Sequence, residues 1–253
     1  MYILGIIPAR YASTRFPGKP LAEIAGKPMV QWVYERSIKA FKHVYVATDD
    51  TRISECVSGF GGECIITSPH HKSGTDRCAE ALTIASNETG IQFDVVVNIQ
   101  GDEPFIDAEQ LEAVVKPFGN QEVQISTLAK LFAPGEDVFN SNSPKVVVSS
   151  TGKALYFSRS VIPFIRGVEK NDWQFKHSYY KHIGLYAYRS NVLQSITELK
   201  QSPLELAESL EQLRWLENGY NIHVGVTSME SLAVDTPDDL ERVREYARKF
   251  LKA

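Results

Sequence analysis

The first hundred residues alternate between short apolar segments and amphipathic segments, and this alternation restricts the fold more than any other feature. Apolar, β-prone runs lie at 2–8, 43–50, 63–67 and 93–104. Helical spacing of apolar residues lies between them, at 27–41, 51–62 and 74–86. Repeated β–α units predict a mainly parallel sheet with right-handed crossovers, which is a Rossmann-like α/β architecture.

The middle of the chain has a different pattern. Strand-like runs lie at 123–132, 145–150, 153–159 and 182–189, with no long helix between them. A helix is predicted over 204–220, a strand over 221–226, and a last helix from Pro237 to about Leu251. We therefore predict a single domain over 1–253, divided into βα units (1–120), a smaller strand-rich α+β lobe (about 121–190) and a return to the main sheet (191–253).

Composition excludes several classes of protein. The chain has 253 residues and a net charge of −4, which argues against general nucleic-acid binding because a duplex partner requires surplus Lys and Arg. Cys56, Cys64 and Cys78 form no CxxC pair, and with His70 and His71 they fit no common zinc spacing, so reduced thiols are expected. The apolar N-terminal run is too short to span a membrane, and we expect a cytoplasmic protein without a membrane partner.

A basic loop follows the first predicted strand. Arg10, Arg15 and Lys19 fall within ten residues of an acidic chain, and Ser13 and Thr14 add hydroxyl donors. Neither GxxxxGK[ST] nor GxGxxG is present, so this is not a Walker A loop or a dinucleotide fingerprint. Because ligands bind at the carboxyl ends of strands in open parallel sheets, the loop favours phosphate binding over a merely solvated basic segment.

A carboxylate follows the fourth predicted strand, in the sequence Gly101-Asp102. Because the carboxyl ends of parallel strands meet at one edge of the sheet, Asp102 is expected at the same edge as the basic loop. Mg²⁺ prefers one or two carboxylates together with phosphate oxygens and water. Asp102 is therefore a candidate metal ligand, although a turn aspartate before the helix near Asp107 is the simpler alternative.

A third acidic cluster precedes the last predicted helix. Thr236 is suited to the cap and Pro237 to the first helical position, while Asp238 and Asp239 are first-turn charges that the helix dipole favours. Asp235 precedes the cap, so its side chain is less restricted by the helix than those of Asp238 and Asp239 and can point into a cleft. It is the candidate second metal ligand.

Six segments together resemble the motif series of the CMP-KDO synthetases, the 3-deoxy-manno-octulosonate (KDO) cytidylyltransferases. They are PARYASTRFPGKPL, SGTDRCAEA, VNIQGDEPFI, HIGLYAYR, LEQLR and VDTPDDLERVR, in the family's order and over essentially the whole chain. The resemblance implies a Rossmann-like nucleotidyltransferase fold, with nucleotide binding in 1–120 and a smaller lobe that binds sugar and forms a homodimer. It also implies transfer of CMP from CTP to KDO for lipopolysaccharide biosynthesis.

By the same resemblance, Arg15 and Lys19 would act in catalysis, together with two Mg²⁺ ions on Asp102 and Asp235. The positions that would bind the nucleotide are Pro8, Ala9, Arg10, Ser13, Arg15, Lys19, Ser73, Gly74, Thr75, Asp76, Arg77, Gln100 and Gly101. An ordinary helix start capped by Ser73 or Thr75 is the alternative for the segment 73–77.

The sugar acid would be bound by residues of the later segments. The resemblance implies Arg159 as the fork for its carboxylate, because a guanidinium matches a carboxylate with two hydrogen bonds. Its hydroxyls would contact His182, Tyr186, Glu211 and Gln212. Tyr186 in a strand and Glu211 in a Glu-rich helix also have purely structural interpretations.

Two alternatives stay open, and a third is disfavoured. Another acidic sugar, such as 8-amino-KDO or sialic acid, would share the carboxylate that Arg159 recognises. A noncatalytic nucleotide-binding protein would bind CTP without turnover, but would leave the paired Asp102 and Asp235 unexplained. A Rossmann dehydrogenase is disfavoured because the glycine fingerprint is missing.

Overall fold

The protein, analysed as a computed structural model, is described over residues 1–12 and 16–250, with only the backbone of Phe250. The strands are β1 (Ile3–Pro8), β2 (Glu23–Ile24), β3 (Lys27–Pro28), β4 (His43–Thr48), β5 (Cys64–Ile66), β6 (Val95–Asn98), β7 (Ile125–Leu131), β8 (Lys145–Val148), β9 (Ala154–Ser158), β10 (Tyr180–Arg189) and β11 (Ile222–Val226). The helices are α1 (Met29–Ala40), α2 (Thr51–Gly59), α3 (Gly74–Thr89), α4 (Ala108–Val115), α5 (Trp173–Lys176), α6 (Ser190–Thr197), α7 (Pro203–Glu208), α8 (Gln212–Glu217) and α9 (Pro237–Phe250).

These elements form two compact units. The first unit comprises Met1–Glu112 and Ser231–Ala253, and the second comprises Ala113–Glu230. The lobe was predicted over about 121–190, whereas the second unit also contains α6, α7, α8 and β11. The second unit ends at Glu230, and Ser231 begins the second segment of the first unit.

The first unit has a parallel sheet in the order β6-β1-β4-β5. Leu4, Ile6 and Ile7 of β1 are fully buried, as an apolar strand covered on both faces should be. Gly5 is required by close packing, because a Cβ at this position would lie 3.1–3.3 Å from side-chain atoms of Ile99, Phe41 and Val44. The predicted α/β fold with β–α repeats is confirmed.

Helix α2 has a side-chain cap at its N-terminus. Asp50 caps α2 by accepting from the backbone amide of Arg52 at 3.0 Å.

α9 packs through Val243 and Ala247 against buried Ile24 and Met29. Burial of a Val, Ile or Met side chain contributes about 1.5–3 kcal/mol.

The second unit is built on mixed strand pairing. β10 is antiparallel to β7 and β8, β8 is antiparallel to β9, and β11 is parallel to β7. Its core includes Phe157, Tyr188 and Trp215, all at most 1% exposed. The predicted α+β character of this part of the chain is confirmed.

The prediction of one helix over 204–220 was wrong. The segment contains two short helices, α7 and α8, and Ser209 between them has φ 51°. Ser209 therefore lies in the left-handed region that ends a helix. The helix α6, with a buried face of Val192, Leu193 and Ile196, was not predicted.

Over the described residues, the longest helices are too short or too polar to cross a membrane.

Candidate active site

A cavity of about 300 Å³ lies in the first unit, at the carboxyl ends of β1 and β6 and the start of α3. Its position at the strand ends follows the rule for open parallel sheets. The cavity is lined by Pro8, Ala9, Arg10, Lys19, Pro20, His71, Lys72, Ser73, Gly74, Arg77, Gln100, Gly101, Asp102 and Asp235. The structure thus brings together most of the predicted nucleotide and metal residues of this unit.

Lys19 is the centre of the acidic side of the cavity. Its Nζ donates to Asp102 Oδ2 at 2.7 Å and to the Val234 carbonyl at 2.8 Å. Asp235 Oδ1 lies 3.6 Å from the same Nζ. Lys19 begins a short 3-10 helix, and its side chain is 16% exposed, so these charges interact in a partly desolvated place.

Backbone packing brings Asp102 to this position. A Cβ on Gly101 would lie 3.0 Å from the Pro8 carbonyl oxygen, so glycine permits the end of β6 to pass close to the end of β1. The backbone amide of Val234 donates to the Asp102 carbonyl at 2.9 Å. This hydrogen bond joins the segment of Asp235 to the segment of Asp102.

The two carboxylates fit a hard cation. Asp102 and Asp235 converge on one ammonium group, which shows that this point of the cavity favours positive charge. Mg²⁺ needs only one or two carboxylates when phosphate oxygens and water complete its octahedron. Within 1–12 and 16–250, no group of three or more His, Cys, Asp and Glu side chains forms a metal cage.

The start of α3 has a capping box. Ser73 Oγ accepts from the Asp76 amide at 3.1 Å, and Asp76 Oδ2 accepts from the Ser73 amide at 3.2 Å. Thr75 is buried, and of the described residues at this helix start Ser73, Gly74 and Arg77 line the cavity while Thr75 and Asp76 do not. The cap accounts for Ser73 and Asp76 structurally, and their predicted nucleotide contacts stay predictions.

Arg77 is a buried cation with internal partners. It is 4% exposed, and it donates to Thr67 Oγ1 at 2.5 Å and pairs with Asp49 Oδ1 at 3.1 Å. These contacts join α3 to the segments that follow β4 and β5. Arg77 therefore has a structural role beside its place in the cavity wall.

His71 lines the cavity, a position that the sequence pattern does not predict. Its Nε2 contacts Glu80 Oε2, which also accepts from the Ser68 amide at 2.8 Å. Burial raises the pKa of Glu80, but hydrogen bonds from His71 and Ser68 outweigh burial and lower it. His71 lies two residues before the SGTDR motif (residues 73–77), and this closeness to predicted nucleotide-binding residues could have identified it as a cavity residue.

The acidic cluster before α9 has the predicted cap. Asp239 Oδ2 accepts from the Thr236 amide at 2.9 Å, and Thr236 Oγ1 accepts from the Asp239 amide at 3.2 Å. Burial raises the pKa of Asp239, but hydrogen bonds from Thr236, from Arg242 and from the Asp235 amide outweigh it and lower the pKa to about 2. Asp239 therefore orders the backbone that carries Asp235.

We expect Asp239→Asn to lower the free energy of unfolding by about 1 kcal/mol at pH 7, the usual value of a helix cap. The folded-state pKa of about 2 lies below the ordinary 3.8. The ionised Asp239 carboxylate therefore makes its whole contribution to the free energy of unfolding above about pH 4, and this contribution is lost as the pH falls through 2. Urea unfolding at pH 7, 4 and 3 measures the gap between wild type and variant, which should narrow on acidification. Asp238→Asn is the exposed control, and a gap that is the same at all three pH values would contradict the assignment.

The candidate sugar residues all lie in the second unit. Arg159 Nε donates to the Glu208 carbonyl at 2.7 Å, Nη1 to the Ser141 carbonyl at 3.0 Å and Nη2 to the Ser209 carbonyl at 3.3 Å. A guanidinium has five N–H groups, so these bonds account for three of them. The fork is fixed by backbone carbonyls and keeps donors for a ligand carboxylate.

His182 and Tyr186 lie in an aromatic cluster on β10. The ring of His182 packs against Phe157 and Tyr186, and its Nε2 is 3.1 Å from Thr127 Oγ1. Desolvation lowers the pKa of His182 to about 3, so the imidazole is neutral at pH 7. Burial raises the pKa of Tyr186 well above its ordinary value, which keeps the phenol protonated. Both can hydrogen-bond to hydroxyl groups without carrying charge.

Glu211 and Gln212 differ in their surroundings. Glu211 Oε1 accepts from Arg214 Nη2 at 2.6 Å, so it has an internal ion pair. Gln212 is 5% exposed, and within the described chain its Nε2 has no hydrogen-bond partner. Trp215 Nε1 is also buried without a hydrogen-bond partner among the described residues, and the sequence did not predict Trp215 as a site residue. Buried donors without partners are rare in proteins and fit a site that a polar ligand or water completes.

Two predicted residues, Ser13 and Arg15, lie outside the described residues.

The parallel sheet and the strand-end cavity define an α/β fold that binds its ligand at the strand ends, and the family match assigns this fold to the nucleotidyltransferases. A family model described as Cytidylyltransferase matches residues 4–224. A 3-deoxy-manno-octulosonate cytidylyltransferase of Phocaeicola vulgatus is 59% identical over 252 residues, covering 98% of each chain. One of Porphyromonas gingivalis is 51% identical, covering 97% of this chain and 96% of the relative. The chain belongs to the cytidylyltransferase family, and within it to the 3-deoxy-manno-octulosonate cytidylyltransferases.

A solved structure agrees with this assignment. CMP:2-keto-3-deoxy-manno-octonic acid synthetase, solved in complex with CTP, is 40% identical and superposes with a TM-score of 0.89. The alignment covers 98% of this chain and 99% of that structure. A cytidylyltransferase from Leptospira borgpetersenii, at 16% identity and a TM-score of 0.62, shares the fold.

Proposed function

We propose that the protein transfers CMP from CTP to the 2-hydroxyl of KDO, giving CMP-KDO and pyrophosphate for lipopolysaccharide biosynthesis. The observation that carries the proposal is the convergence of Lys19, Asp102 and Asp235 in a strand-end cavity that also contains Arg10 and Lys72. Cations for a triphosphate and carboxylates for a metal are both needed for nucleotidyl transfer. The high identity to 3-deoxy-manno-octulosonate cytidylyltransferases, one of them solved in complex with CTP, supports the choice of CTP and KDO as substrates.

The reaction is an in-line displacement. The 2-hydroxyl oxygen of KDO attacks the α-phosphorus of CTP. The bond between this phosphorus and the oxygen that bridges it to the β-phosphorus breaks, so pyrophosphate leaves, and the hydroxyl proton passes to solvent. Arg10, Lys19 and Arg15 neutralise charge on the triphosphate and on the departing pyrophosphate. Such catalysis is mainly positioning and electrostatic stabilisation, so no covalent enzyme intermediate is needed.

Asp102 and Asp235 would hold Mg²⁺. When bound, Mg²⁺ would lower the pKa of the attacking hydroxyl and stabilise negative charge around the α-phosphate. Asp102 holds Lys19 through its carboxylate, and the Thr236–Asp239 cap holds the backbone of Asp235. These contacts restrain both carboxylates before the nucleotide binds.

The second unit would bind the sugar. Arg159 would pair with the KDO carboxylate through its remaining N–H groups, and Gln212 would donate its buried Nε2 to a hydroxyl. His182 and Tyr186 are neutral hydrogen-bonding groups in the same unit, which suits hydroxyls rather than charges. Glu211, held by Arg214, would accept from another hydroxyl.

The test is pyrophosphate release from CTP with purified protein and Mg²⁺, comparing KDO, 8-amino-KDO, sialic acid and no sugar. Each reaction is repeated with EDTA. We expect release only when KDO and metal are both present. Release with a different sugar would retain the chemistry and overturn the substrate. Folded protein that binds CTP but releases no pyrophosphate with any sugar would be a noncatalytic nucleotide-binding protein.

We also propose that the enzyme is a cytoplasmic homodimer that associates through the second unit. Phe164 and Phe175 of this unit are 71% and 84% exposed, and Leu131 and Phe139 are also exposed. The rings of Phe139 and Phe164 both pack against Trp173, so they belong to one contiguous apolar patch, and such patches mark association surfaces. Sedimentation equilibrium should give twice the chain mass, and Phe175→Asp should shift the protein towards monomer. A wild-type monomer at micromolar concentration would overturn the dimer.

A further inference from the structure

Lys145 is a buried cation that the proposed reaction does not use. Its side chain is fully buried in β8. Nζ donates to the Asn140 carbonyl at 2.7 Å and to the Arg159 carbonyl at 2.9 Å. Both of these acceptors are backbone carbonyls, and the carboxylates of Asp137 and Glu208 act on the ammonium only through space. A buried ammonium is costly, so its position between these two carbonyls needs an explanation.

The two carbonyls belong to the segments that hold the Arg159 guanidinium. Ser141, next to Asn140, accepts from Arg159 Nη1 at 3.0 Å. The other carbonyl is that of Arg159 itself, which follows β9, and β9 pairs with β8. Lys145 thus binds the backbone of Arg159 itself. It also binds the carbonyl of Asn140, next to Ser141, whose carbonyl accepts from the Arg159 guanidinium.

Glu208 completes this frame from the opposite side. Its Oε2 accepts from the Arg159 amide at 2.8 Å and its Oε1 accepts from Ser158 Oγ at 2.6 Å. The Glu208 carbonyl also accepts from Arg159 Nε at 2.7 Å. Glu208 therefore fixes the α7 side of the guanidinium, and Lys145 fixes the side of residues 140–141.

We propose that Lys145 is a positioning residue, which orients Arg159 for the carboxylate of the sugar acid. This inference rests on the proposed function, in which Arg159 binds that carboxylate. A planar fork binds a carboxylate through two parallel bonds, so a rotation of the guanidinium weakens both at once.

The experiment compares steady-state kinetics of wild type and Lys145→Met, which has a similar volume without the two donors. We expect KM for KDO to rise about tenfold, the effect of losing a charge-assisted hydrogen bond, while KM for CTP is unchanged. The C1 methyl ester of KDO, which has no carboxylate charge, should be affected little. In an Arg159→Lys background, Lys145→Met should lower kcat/KM for KDO by clearly less than in wild type, because both changes act on one fork.

Lys181→Met is the matched control. Lys181 is another buried lysine of the second unit, but its Nζ pairs with Glu136 and Glu230. It should lose stability without the rise in KM for KDO. If Lys145→Met does not fold, Lys145→Gln keeps donors without charge, and a smaller rise of the same kind is expected.

The outcomes separate the two proposals. Wild-type protein that turns over no sugar acid overturns the proposed function. Wild-type turnover with an unchanged KM for KDO in the folded Lys145 variants overturns the positioning role alone. An equal loss of kcat/KM in the wild-type and Arg159→Lys backgrounds also overturns it, because Lys145 would then act independently of Arg159.

Discussion

Asp102→Asn is expected to lower turnover by roughly a hundredfold or more at saturating CTP, sugar and Mg²⁺, while the protein stays folded. The carboxylate accepts from Lys19 Nζ at 2.7 Å and lies with Asp235 around one cationic point. Asparagine keeps the size of the side chain but removes the charge that both a metal ion and Lys19 require. The measurement is initial-rate pyrophosphate release over a range of Mg²⁺ concentrations, with circular dichroism to confirm folding.

Asp94→Asn is the matched control for this prediction. Asp94 is exposed, precedes β6, and accepts from the Tyr2 amide at 2.6 Å, so it lies at the other end of the strand from Asp102. Its substitution should leave turnover near normal. A lower apparent affinity for Mg²⁺ in Asp102→Asn would indicate metal binding, and a rate loss without that shift would indicate that Asp102 acts through Lys19. Near-normal turnover at saturating Mg²⁺ would remove Asp102 from the mechanism.

Arg77→Met is expected to lower the free energy of unfolding by about 3 kcal/mol, the low end for breaking a buried ion pair. Arg77 is 4% exposed, and its guanidinium contacts Thr67 and Asp49. Methionine fills much of the same volume, so most of the loss comes from a carboxylate left without its partner. Chemical denaturation at pH 7 measures the change in the free energy of unfolding. The slope m of that free energy against denaturant concentration should be the same in both proteins, which shows that only stability has changed.

A double-mutant cycle with Asp49→Asn separates the ion pair from the general effect of substitution. The second substitution should cost much less once Arg77 is absent, because the carboxylate has then already lost its cation. Additive losses would show that the pair contributes nothing of its own. CTP binding by the folded Arg77→Met protein tests the second role, since a large loss of affinity is expected only if Arg77 also contacts the nucleotide.

Much of the first unit could be predicted because its signals are local. An apolar strand such as β1, and an amphipathic helix such as α1, need only the pattern of their own residues. The Thr236–Asp239 cap is also local, since its partners are three residues apart. Local patterns failed at α7 and α8, where continuous helical spacing hid the left-handed Ser209.

The candidate sites show the same division. The sequence and its resemblance to a family named Lys19, Asp102 and Asp235, but they did not predict that Lys19 would donate to Asp102 across 83 positions in the chain. They named Arg159 as the fork for a carboxylate, but they did not predict that three of its N–H groups would bind backbone carbonyls. A carbonyl acceptor has no side-chain identity, so no residue pattern reveals such a bond.

The sequence alone determined the β–α alternation, the helix caps and the kinds of charge near the strand ends, because each depends on neighbours along the chain. Only the tertiary structure decided that His71 pairs with Glu80 at the cavity wall and that Lys145 is buried against the Arg159 carbonyl. Those contacts depend on how strands and helices pack. Packing joins residues whose separation in sequence carries no local signal.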